Sequence, residues 1–92
     1  MQRYHVILGD KRTTVTLNDT LAGVLVIKLG QTPGTAKAHS AVRSWLQEQL
    51  DLNDDPNRAY VSRWLQQEAI LFIADTKLSK AYLDWYLEES SA

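Results

Sequence analysis

"RYHVILGDKRTTVTL", residues 3–17, decides the fold, because two alternating runs flank a single Gly-Asp pair. Residues 3–8 and 12–17 are rich in β-branched and aromatic side chains, and they switch between the two faces at every step, the period of a strand. Gly9 can supply a positive φ at the first central position of a two-residue loop, so the spacing predicts a hairpin with a type II′ turn. Such a loop pairs Leu8 with Lys11, Val6 with Thr13 and Tyr4 with Val15. It gathers Tyr4, Val6, Leu8, Thr13, Val15 and Leu17 on one face, and Arg3, His5, Ile7, Arg12, Thr14 and Thr16 on the other. The first face suits a core. The second is basic and hydroxylated.

"NDTLAGVLVIKLG", residues 18–30, reads as a helix capped by Asn18 or Asp19, with Leu21, Leu25, Lys28 and Leu29 in helical phase and Gly30 as a stop. Its β-branched Val24 to Ile27 run leaves a buried strand as the alternative. "QTPGT" breaks the chain, and from Thr35 a second helix carries Ala38, Ala41, Val42, Trp45, Leu46 and Leu50 as one stripe. "DLNDDPN" is a linker in which Asp55 caps a third helix with Pro56 at its first position. Val61, Trp64, Leu65, Leu71 and Phe72 line that helix, and "ILFIAD" is its end or a short strand. Asp75 or Thr76 caps a last helix with Leu78, Ala81, Tyr82, Leu83, Trp85, Tyr86 and Leu87, apolar almost all round and therefore expected to be buried on more than one side. Tyr60, Trp64, Phe72, Tyr82, Trp85 and Tyr86 are the expected core aromatics of this part.

Composition sets the outer bounds. Ninety-two residues with 45% hydrophobic and 23% charged side chains fit a small globular chain that a second subunit would help to stabilise. There is no cysteine, and no apolar stretch approaches the roughly 20 residues that span a bilayer. A soluble, cytoplasmic protein with no membrane association is the expectation. The net charge of −1 conceals an asymmetry: residues 1–50 sum to +3 and residues 51–92 to −4. A basic first half points to an anionic partner.

Catalytic chemistry has little to stand on. His5 and His39 lie in different elements, and no metalloprotease, phosphate-loop or serine-nucleophile motif occurs. Asp54 and Asp55 are better explained by helix capping. No enzyme activity, catalytic residue, metal site or cofactor is expected.

The order strand, helix, Gly-containing break and "SAVRSWL" across residues 12–50 resembles the ribbon-helix-helix (MetJ/Arc-type) family of DNA-binding proteins. Val15, Leu17, Leu21 and Leu25 match its core spacing, and "AVRSWL" its second-helix pattern. The resemblance implies a mainly α fold with a short N-terminal β-strand or hairpin, dimeric, with an additional C-terminal helical pair. Residues 1–52 would form the DNA-binding module, and residues 53–92 an extension for packing or partner binding. Gly34 lies nine residues before Arg43 and is the better equivalent of the family's inter-helix glycine, implying a first helix that runs nearer to Gln31.

By the same resemblance, Arg12, Thr14 and Thr16 would read base edges in the major groove of double-stranded DNA. The helix start at Thr35, with Lys37, would contact phosphate. The implied function is a homodimeric, sequence-specific repressor, with an antitoxin that binds a protein partner through residues 53–92 as a variant. The alternative is an interaction or assembly module without DNA binding. Strand 12–17 has two candidate partners at this point: residues 3–8 of its own chain, or the same strand of a second protomer.

Overall fold

The computed structural model describes residues 1–53 and 60–91 of the chain, and it opens with the hairpin. Strands β1 (Gln2–Leu8) and β2 (Lys11–Leu17) pair antiparallel in the register Leu8 to Lys11, Val6 to Thr13 and Tyr4 to Val15. Strand 12–17 therefore pairs within its own chain. Gly9 has φ 64° while Asp10 keeps a negative φ, the combination that distinguishes a II′ from a I′ turn. Tyr4, Val6, Val15 and Leu17 are buried on the inner face, with Leu8 and Thr13 half-buried beside them. Arg3, His5, Ile7, Arg12 and Thr14 are exposed on the outer face, and Thr16 is half-buried.

Helix α1 (Asp19–Lys28) starts where the Asn18 carboxamide oxygen accepts the N–H groups of Thr20 (2.9 Å) and Leu21 (3.3 Å). It ends in a Schellman motif, with the Gly30 amide donating to the Ile27 carbonyl and the Gln31 amide to that of Val26. Gly30 takes φ 81°, a conformation costly for any residue with a Cβ. The first helix thus stops at Lys28 rather than nearer to Gln31, because the backbone turns left-handed at Gly30. The strand alternative for Val24 to Ile27 is likewise replaced by helix.

Helix α2 (Ala36–Asn53) is capped by Thr35, whose Oγ1 accepts the Ala38 amide at 3.1 Å and donates to the Thr32 carbonyl at 2.9 Å. Its stripe of Ala38, Val42, Trp45, Leu46 and Leu50 is buried, with Ala41 at the margin. Helix α3 (Val61–Ile73) buries Val61, Leu65 and Ala69 in the same core as the hairpin, α1 and α2. It does not run on from Pro56: Tyr60, at its N-cap, has φ 57° and interrupts any helix arriving from upstream. Asp55 and Pro56, with the expected Asp54–Asp55 cap, lie outside the described residues. "ILFI" completes the helix and forms no strand.

Helix α4 (Thr76–Ser91) is capped by Asp75, which accepts the Lys77 amide at 2.9 Å. The expected burial on several sides is not met by the side chains that are described. Every side chain described in α4 is exposed, Trp85 at 57% and Leu87 at 63%. Among the described residues α4 packs against α3, and Leu83 and Trp85 point to different sides of the helix. The expected core aromatics divide accordingly. Trp64 is half-buried, Tyr60 and Phe72 are exposed, and the side chains of Tyr82 and Tyr86 lie outside the described set. Among the described residues, no helix is long and apolar enough to cross a membrane.

Helix side chains finish the hairpin's edges. Gln47 of α2 makes a two-point fork on Ile7: its Oε1 accepts the Ile7 amide at 2.8 Å and its Nε2 donates to the Ile7 carbonyl at 2.9 Å. One turn earlier, Arg43 Nε donates to the His5 carbonyl at 2.9 Å. On the opposite edge the Thr16 amide donates to Ser62 Oγ of α3 at 3.1 Å. Unpaired strand groups invite another chain. Here α2 occupies the outward groups of β1 at two successive positions, while α3 occupies one on β2.

Candidate nucleic-acid interface

The alternation that buries Tyr4 and Val6 turns Arg3, His5 and Ile7 outward on β1, and Arg12 and Thr14 outward on β2. The fork at Ile7 fixes how α2 lies along this surface. Thr35, His39, Arg43 and Gln47 follow one another at i, i+4 spacing, which places them as one row on the helix face bordering β1. His39 stacks on Tyr4, with ring centroids 4.7 Å apart and planes at 24°. Burial pushes the Tyr4 hydroxyl pKa above the ordinary tyrosine value, and the Asp19 carboxylate adds to that direction.

Three elements, β1, β2 and α2, thereby converge on a cleft of about 330 Å³ lined by His5, Ile7, Arg12, His39 and Arg43. No carboxylate is among those lining residues. His5 Nδ1 lies 3.3 Å from Thr14 Oγ1, so Thr14 steadies the ring from the neighbouring strand. The ion pairs among the described residues are Met1 amino to Asp19 (3.1 Å) and Lys80 to Asp84 (3.0 Å). Arg3, Lys11, Arg12, Lys37 and Arg43 belong to neither, so the hairpin and the start of α2 carry positive charge without counter-ions among the described residues. Such a field draws anions from a distance.

The residues singled out from sequence fall into three places. Arg12 and Thr14 stand together on the exposed outer face. Thr16 shares that face but is half-buried, its amide held by Ser62. Thr35 borders an adjoining cleft that shares His39 with the first and also contains Asp19, whose carboxylate is paired with the Met1 amino group. Lys37 lies off the Thr35 row and lines yet another surface, with Gln31, Ser40 and Ser44. His5, His39 and Arg43 are the members that site reasoning from sequence missed. The signal was present in the i, i+4 spacing of His39, Arg43 and Gln47, alongside the stronger apolar stripe of the same helix.

A second surface is apolar. Trp45, Leu71, Phe72 and Leu83 line a groove of about 540 Å³ between α2, α3 and α4, with Glu48 and Glu68 beside them. Phe72 packs against Trp45 at 5.2 Å between centroids, and Lys28 Nζ lies 5.7 Å from the Phe72 ring centroid. Among the described residues, no three His, Asp or Glu side chains gather as a metal site.

Comparison with protein-family models, with curated proteins and with solved structures returned no match.

Proposed function

We propose that this chain is a cytoplasmic, homodimeric DNA-binding protein, a sequence-specific repressor that meets duplex DNA with the outer face of its hairpin. One observation carries the reading. A two-stranded ribbon presents Arg3, His5, Arg12 and Thr14 outward, flanked by Arg43, with no carboxylate paired to any of its cations among the described residues. A two-stranded ribbon is narrow enough for the major groove, about 12 Å wide. Here both strands come from one chain, which departs from the shared ribbon of the ribbon-helix-helix resemblance while keeping its strand–helix–helix order. Arg12 and Thr14 are the members of the predicted reading trio available to DNA, with Thr16 drawn back toward α3.

Fluorescence anisotropy with duplex DNA tests this. Binding is expected at low salt, and the logarithm of affinity should fall linearly as the logarithm of salt rises. Arg3→Ala combined with Arg12→Ala should lower the magnitude of that slope by about 2 while leaving the fold intact. Absence of duplex binding at low salt overturns the proposal.

The competing reading is a protein-interaction module, and the groove lined by Trp45, Phe72 and Leu83 favours it specifically. Exposed apolar surface beside exposed Trp85 and Leu87 suits a protein contact. A second copy or a toxin-like partner docking through residues 53–92 would be compatible with DNA binding at the hairpin. Sedimentation of the protein without DNA separates a dimer held by the helices from a monomer.

A further inference from the structure

We infer that the cleft between β1 and α2 is a phosphate seat, in which Arg12 and Arg43 grip one backbone phosphodiester of the nucleic acid. This rests on the DNA-binding reading for its ligand, and it changes the work assigned to Arg12 from reading a base to holding the backbone.

Arg43 is already anchored to the hairpin. Its Nε–H is committed to the His5 carbonyl at 2.9 Å. A guanidinium has five N–H donors, so four remain on a group whose position is already fixed by the strand edge. Arg12 reaches the same cleft from β2. Arg12 and Arg43 thus bring two positive charges to one cleft, and no carboxylate is among its lining residues to offset them. An anion seated there would offset them, and phosphate oxygens match the planar donor fork of arginine.

The imidazoles fit the same ligand. His5 Nδ1 and Thr14 Oγ1 lie 3.3 Å apart, and in the tautomer where the hydroxyl donates, Nε2 carries the ring proton and is a donor. His39 is held by its stack on Tyr4 and lines the same wall. Both arginines donate in every state, each imidazole donates from whichever nitrogen carries its proton, and Arg43 and His39 are tethered by contacts to the hairpin. Ile7 supplies the apolar floor, and its own backbone groups are spent on Gln47. The helix start at Thr35 borders the Asp19 carboxylate, whereas the seat has none among its lining residues. The grip is electrostatic and hydrogen-bonded throughout.

The experiment has two arms on the full chain. In the first, inorganic phosphate is titrated at constant pH and ionic strength while ring resonances of His5 and His39 are followed by NMR. Saturable shifts that chloride does not reproduce support the seat, and no shift overturns it. In the second, Arg12→Ala and Arg43→Gln are compared on several duplex sequences. The glutamine side chain keeps an amide donor for the His5 carbonyl but loses the charge, and circular dichroism checks the fold. Each substitution is expected to weaken binding about tenfold, uniformly across sequences, and to lower the salt slope by about 1. Loss of sequence preference in Arg12→Ala overturns the phosphate role and leaves DNA binding standing. Wild-type protein that binds no duplex, yet shows the phosphate shifts, overturns the DNA reading and supports the seat.

Discussion

Helices α3 and α4 follow each other directly and are both rich in large apolar residues, yet they meet opposite fates. On α3, Val61, Leu65 and Ala69 repeat every four residues and are buried against the hairpin and α1, with Ile73 continuing the row half-buried. On α4, Leu83 and Leu87 share one side of the helix and Trp85 lies on another, and all three are exposed. Four-residue spacing makes an apolar face, but burial also needs a neighbouring surface to cover it.

Substitutions on the two helices should separate widely. Leu65→Ala removes a fully buried side chain and is expected to cost about 2–5 kcal/mol in urea unfolding. A cost under about 1 kcal/mol would mean that α3 is not integral to the core. Ser62→Ala frees the Thr16 amide on the half-buried edge of β2 and should cost about 1 kcal/mol. Restoration by Ser62→Thr would tie that cost to the hydroxyl. Trp85→Ala, on α4, should change stability by about 0.5 kcal/mol or less. If Trp85→Ala matched Leu65→Ala, and more so at high protein concentration, α4 would be part of an interface between copies.

The same contrast explains what was legible in the sequence. The hairpin register, the Asn18 cap, the Gly30 stop and the α2 stripe are set by neighbours in the chain, and alternation or spacing exposes them. The exposure of α4 depends on how many other elements reach it, which periodicity does not encode. Tyr60 is a further example, since a left-handed tyrosine has no residue signature of the kind glycine provides. The candidate site was half legible. Arg12 and Thr14 follow from strand parity, whereas His5, His39 and Arg43 meet only because Gln47 docks α2 along the edge of β1. That docking joins residues 40 apart in sequence.

The fork at Ile7 also has a consequence in time. Most ladder amides of a hairpin exchange with solvent only when the strands part, but the Ile7 proton is shielded by one side chain of a different element. Strand closure is local and takes on the order of 1–10 μs, whereas contacts distant in sequence are made later. The deuterium uptake of this single amide therefore follows the undocking of α2 and can run faster than exchange at Val6, its neighbour in the strand. Any anion that ties Arg43 more firmly to the hairpin would slow it.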